Sequence, residues 1–176
     1  AVAPLGTALT ETQLLLSWKF VNKPTIMFDG DDAGLRASYK SALMALPFLT
    51  PDKFLQFIKL PKDYDPDTFI NQFSISKLAE LLKNPLPIVD FIFEQSSLSI
   101  DLKKADNKIS FDKYIDDLIA TIKDNKIKFF YKNEFKKLFF DKLKYKPKDS
   151  TKTKLPQKIE PIIEKQINSF LISYLN

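Results

Sequence analysis

Two short acidic clusters carry the side chains best suited to chemistry: Asp29-Gly30-Asp31-Asp32 after Phe28, and Asp63-Tyr64-Asp65-Pro66-Asp67 after Lys62. Carboxylates crowded at one place repel unless cations hold them, and hard oxygen ligands in pairs are what Mg²⁺ or Mn²⁺ takes, with waters and substrate phosphates completing the octahedron. Gly30 between them permits a turn that aims both carboxylates at one region. The candidate metal ligands are therefore Asp29 and Asp31, joined by Asp65 and Asp67 if the clusters converge.

Simpler readings stand beside this one. Asp31 or Asp32 could cap a helix starting near Ala33, and Asp65 before Pro66 is a good N-cap with proline at the first helical position. Asp29, Asp31 and Gly34 imitate the start of a calcium loop, but Ala33 stands at its fifth position and Lys40 at its twelfth. Gly30 and Gly34 make neither a dinucleotide fingerprint nor a phosphate loop. A phosphatase using Asp29 as nucleophile and Asp31 as acid/base remains open, because it too places an Asp-x-Asp after an apolar strand.

The elements that must position these acids follow from patterning. Thr10 with Gln13 is a capping-box start for a helix running through Leu14 to Phe20, and Pro24 stops it. Thr25-Ile26-Met27-Phe28 predicts a strand buried on both faces, Ala33 to Leu46 a helix, and Phe54 to Leu60 a second strand ending at Pro61. Strand, helix, strand implies a βαβ crossover with parallel strands. Ligands bind beyond the carboxyl ends of such strands, where both clusters fall.

From Asn84 on the spacing predicts helices only. Pro85 to Leu98 forms one, with Pro85 or Pro87 in its first turn. Ser110 caps the next, whose Phe111, Tyr114, Ile115, Leu118, Ile119 and Ile122 share a face. A third starts near Lys126 with Ile127, Phe130, Tyr131 and Leu138 inward, and together they suggest a small antiparallel bundle. Lys144 to Gln157 reads as a linker, and Ile159 to Leu175 as the beginning of another helix.

Composition excludes much. Without Cys or His there is no disulfide framework, zinc cluster or histidine-based triad in these 176 residues. No apolar run approaches the roughly 18 to 20 residues of a membrane span, so a soluble, intracellular protein is expected. The net charge of +5 comes from one stretch: residues 123 to 154 hold 12 Lys against 4 acids, whereas residues 1 to 122 hold 13 basic and 16 acidic side chains. A Lys-rich block attracts polyanions, although lysines on helices are commonly just solvated. An apolar opening without Met and an apolar helical ending suggest part of a longer chain.

Three blocks, Ala3-Pro4-Leu5-Gly6-Thr7-Ala8-Leu9-Thr10, Phe28-Asp29-Gly30-Asp31-Asp32-Ala33-Gly34 and Leu60-Pro61-Lys62-Asp63-Tyr64-Asp65-Pro66-Asp67, resemble successive motifs of the bacterial-type DNA primases, in order and at similar spacing. Pro85 to Phe93 resembles the passage from that family's catalytic core into its helical subdomain, and the likeness fades after about residue 145. The resemblance implies a partial TOPRIM α/β domain (parallel-sheet βαβ, residues 1–83), then an all-α helical bundle (84–145), a basic linker (146–158) and the start of a C-terminal helicase-binding region (159–176).

It further implies a nucleotidyltransferase, a DNA-directed RNA polymerase that makes short RNA primers on single-stranded DNA from nucleoside triphosphates during replication. Asp29 and Asp31 match the catalytic, metal-binding Asp-x-Asp, and Asp65 and Asp67 match further acids around Mg²⁺ or Mn²⁺. Asp32 is expected to cap the helix or to support the ligands from behind. The family's catalytic glutamate and its zinc-binding module lie upstream of the Leu-Gly-Thr block, so these residues alone are expected not to prime. The implied partners are template, primer and the replicative helicase, with no membrane, in the bacterial cytoplasm at the nucleoid and primosome. The competing readings are a helicase-docking module without chemistry of its own and the Asp-nucleophile phosphatase.

Overall fold

The computed structural model describes residues 9–144. Most of the Leu-Gly-Thr block, the basic linker and the expected C-terminal helix fall outside them.

Helix α1 (Glu11–Phe20) begins with the expected capping box: the Gln13 amide N–H donates to the Thr10 hydroxyl at 3.3 Å, and the Thr10 N–H donates to the Gln13 side chain at 2.9 Å. It buries Leu14 and Trp18, and the Trp18 indole N–H donates to the Phe54 carbonyl at 2.9 Å, which fixes α1 beside the entry to the second strand. Strand β1 (Thr25–Phe28), helix α2 (Asp32–Ala45), a short 3₁₀ turn (Leu46–Phe48) and strand β2 (Gln56–Lys59) form the predicted crossover. The strands are parallel, in a register that runs from Thr25 opposite Gln56 to Phe28 opposite Lys59. Helix α2 packs through small residues, Gly34, Ser38, Ser41, Ala42 and Ala45, which let it lie close to its neighbours.

Four expectations need correction. All of β1 is only half-buried, because it is the edge of the sheet and has a neighbour on one side only. Pro85 and Pro87 do not open a helix: Leu86–Pro87 is a two-residue strand, β3, antiparallel to β2, in a sheet of order β1-β2-β3. Proline drives the residue before it toward extended backbone, which suits Leu86, and an edge strand tolerates a residue without an N–H. Ser110 does not cap its helix; α6 spans Ala105–Ala120 and starts ahead of any buried residue, with Lys104 at the N-cap position. Phe130, expected inward, is 59% exposed.

Between β2 and β3 lie α3 (Pro66–Phe73) and α4 (Ile75–Leu82), which close a small core of Leu60, Phe69 and Leu78. Helix α5 (Ile88–Ser96) connects the sheet to α6 and α7 (Asn125–Lys144). Its Phe91 stacks on Phe57 of β2 at 4.3 Å, and its Phe93 meets the edge of Phe111 of α6 at 5.6 Å. Phe111 in turn stacks on Phe139 of α7, so a single apolar core runs from the sheet into the helices. Polar contacts reinforce the same junction. The Tyr39 hydroxyl of α2 bonds the Tyr114 hydroxyl of α6, and burial pushes the Tyr114 phenol up to about 12 and the Tyr39 phenol well above 10.0. Both stay protonated hydrogen-bonding groups at neutral pH.

Candidate metal centre at the strand ends

Strands β1 and β2 finish side by side, with Phe28 opposite Lys59, so the two acidic clusters leave the same edge of the sheet. A backbone hydrogen bond then joins them: the Gly30 N–H donates to the Tyr64 carbonyl at 2.7 Å. Gly30 is buried under the second loop so closely that a Cβ there would collide with the Pro61 carbonyl. Gly34 has the same constraint against the backbone of Asp29. Both glycines are thus required by close backbone approach. Tyr64 is held from the other side by Phe69 and Phe73 of α3, and its hydroxyl donates to Gln72.

Each cluster also starts a helix. Asp31 caps α2, its Oδ1 accepting from the Gly34 N–H at 2.6 Å, and Asp65 caps α3, its Oδ1 accepting from the Thr68 N–H at 2.7 Å. Of the two candidate caps it is Asp31 that serves; Asp32, expected to cap the helix or to support the ligands from behind, is the first residue of α2. Two helix N-termini therefore face the loops that carry the acids, and their positive ends favour anionic groups there. Asp67 stands in the first turn of α3, where its Oδ2 accepts from Asn71 at 3.2 Å.

None of Asp29, Asp31, Asp65 and Asp67 pairs with a lysine or arginine among the described residues. Also among the described residues, no three acids stand close enough to hold an ion as an all-protein cage. Mg²⁺ and Mn²⁺ are commonly held by one or two carboxylates, with water and phosphate oxygens supplying the rest. Capping engages Oδ1 of Asp31 and Oδ1 of Asp65.

The Asp65 carboxyl is held below the ordinary 3.8, first by the Thr68 N–H and then by the Thr68 side chain. A depressed native value means that the cap contributes its stability above 3.8 and loses it as pH falls through that native value. We expect the carboxyl NMR titration of Asp65 to show a midpoint under 3.8 that moves upward in Thr68→Val. An unmoved midpoint would contradict the part ascribed to the Thr68 side chain.

Patterning located the acids but missed what joins them. The Gly30–Tyr64 bond is backbone to backbone across distant loops and leaves no residue-type signal. It also missed the ion pair of Lys59, at the end of β2, with Glu94 of α5.

The mixed sheet with its acid-bearing parallel strand ends, followed by packed helices, matches a partial TOPRIM α/β domain plus helices. No protein-family model matches the chain. A DNA primase from Rickettsia felis is 31% identical over 151 residues, covering 86% of this chain and 25% of the relative. A structure of the DnaG primase catalytic domain bound to single-stranded DNA superimposes with a TM-score of 0.70 at 24% identity, covering 77% of this chain and 43% of that one. The Aquifex aeolicus primase, solved with its zinc-binding and RNA polymerase domains, gives a TM-score of 0.59 at 28% identity over 78% of this chain and 32% of that one. The chain is thus similar to the bacterial-type DNA primases, with its structural match falling on part of a primase catalytic domain, and it spans about a quarter of the length of the curated relative from Rickettsia felis.

Proposed function

We propose that this chain is the C-terminal portion of a primase catalytic core, in which it supplies metal-binding acids for synthesis of RNA primers on single-stranded DNA. The observation that carries this reading is the Gly30–Tyr64 hydrogen bond, which locks together two acid-bearing loops at the ends of parallel strands. Asp29 and Asp31 are the ligands from the first loop, and Asp65 and Asp67 extend the acidic surface from the second. Mg²⁺ or Mn²⁺, when bound, would neutralise charge on the triphosphate and on the attacking primer 3′-oxygen. The chain's own part is to hold its carboxylates rigidly through two helix caps and to aim two helix N-termini at the anionic substrate. The upstream glutamate of the family is needed as well, so these residues alone are inactive in priming, and zinc belongs to the upstream module. The replicative helicase docks through the region after residue 158, and the protein works in the bacterial cytoplasm.

The phosphatase reading needs further catalytic groups after later parallel strands. The described residues offer only β3, which is antiparallel and two residues long. The test is primer synthesis by the full-length protein carrying Asp29→Asn and Asp31→Asn. Priming should fall by at least about 100-fold, as expected when charge stabilisation in the transition state is removed. Priming at the parental rate would overturn the assignment.

A further inference from the structure

The outward face of α7 is not used by the acidic centre, and its chemistry is unusual for a solvated helix. At 3.6 residues per turn, Phe129, Asn133, Lys136 and Phe140 line up along the helix. Lys126, Phe130, Lys137 and Lys144 lie beside them, all within roughly a third of the circumference. Phe129, Phe130 and Phe140 are 62%, 59% and 55% exposed, whereas Ile127 and Phe135 on the opposite side are buried in the core. Glu134 and Asp141, the two acids of α7, fall outside this strip.

Three of its four lysines are also without an internal task among the described residues. Lys132, off the strip, pairs with Asp116 at 3.0 Å, and Lys142 donates to the Ser97 hydroxyl at 2.6 Å. Lys126, Lys136 and Lys144 make no ion pair among the described residues, while Lys137 at the margin pairs with Glu134 at 2.9 Å. At the C-terminal end the strip widens into a groove of about 320 Å³ toward α6, lined by Lys108, Ile109, Asp112, Lys136, Phe139 and Phe140. The rings are held in place: Phe129 and Phe130 meet edge to face at 5.4 Å, and Phe140 packs on Phe139, itself stacked in the core.

We propose that this strip is a stacking platform for single-stranded DNA. Exposed rings offer every base a π-face without sequence preference, and unpaired lysines between them meet the phosphates. Phe129 and Phe140 are about 16 Å apart along the axis, the span of about five stacked nucleotides. A protein partner would equally welcome the rings, but lysines alternating with them, and no acid on the strip, complement a polyanion. The proposal extends the single-stranded template of the proposed function to an element other than the acidic loops.

The test is fluorescence anisotropy of an oligothymidylate of about 20 nucleotides with the full chain, over a salt series from about 50 mM. Phe129→Ala with Phe140→Ala should weaken binding by about 10-fold or more with the salt slope unchanged. Lys126→Gln with Lys136→Gln should lower that slope by about 1.4. A duplex of the same length, whose base faces are covered, should bind more weakly and be indifferent to the Phe substitutions. Circular dichroism checks folding, which these exposed positions should not disturb. The proposal is overturned by absent binding at low salt, by parental affinity in the Phe variant, or by a Phe effect confined to self-association in sedimentation. Asp29→Asn with Asp31→Asn should keep oligothymidylate binding, so a failed metal centre and a failed platform give different results.

Discussion

Gly30→Ala should cost about 3 kcal/mol or more and separate the two acidic loops. The new Cβ would meet the Pro61 carbonyl oxygen and carbon and, at 3.0 Å, the Leu60 carbonyl oxygen. These are backbone atoms of the segment that leaves β2, so no side-chain rotation relieves the clash. The loop must move, and with it the bond from the Gly30 N–H to Tyr64. Urea denaturation should show the loss of stability, and amide exchange at Gly30 should accelerate. Parental stability with a protected Gly30 amide would show that the loops are not interlocked as described.

Phe91→Ala should be comparably severe, about 3 to 5 kcal/mol. Phe91 is wholly buried and stacks on Phe57 with an interplanar angle of 10°. Removing the ring opens a void where α5 crosses the sheet, and neighbours such as Phe57 and Ile92 are themselves too enclosed to collapse into it. Because the same core continues through Phe93 and Phe111, the damage should reach α6 and α7. The check is chemical denaturation read both by far-UV circular dichroism and by Trp18 fluorescence on α1. The two probes should move together to lower denaturant, and a loss under about 1 kcal/mol would place the ring outside the shared core.

The parts of the fold that could be read from sequence are those set by local chemistry. Thr10 and Gln13 announce their capping box because both partners lie within one turn. Thr25–Phe28 is a mostly apolar run closed by Asp29, and the mostly apolar stretch from Phe54 to Leu60, which holds the strand Gln56–Lys59, is closed by Pro61, so the crossover and the strand-end position of the acids follow. What escaped was set by partners distant in sequence. Leu86 and Pro87 become a strand only because Phe57 and Gln56 offer an edge, and Phe130 faces out because Ile127 and Phe135 set the rotation of α7. At the site, choosing between Asp31 and Asp32 as the cap needed the actual turn at Gly30, which in turn depends on Tyr64 from the other loop.

Divalent-ion binding by the strand-end acids is the property on which the proposed function most directly rests. The measurement is calorimetric titration of Mn²⁺ into the chain and into Asp29→Asn with Asp31→Asn, with circular dichroism on both. Asparagine caps helices about as well as aspartate, so the fold should survive the double substitution. The proposed metal centre requires Mn²⁺ binding by the parent that disappears in the folded variant. Binding that persists undiminished in that variant, or a folded parent that takes up no Mn²⁺, would contradict it.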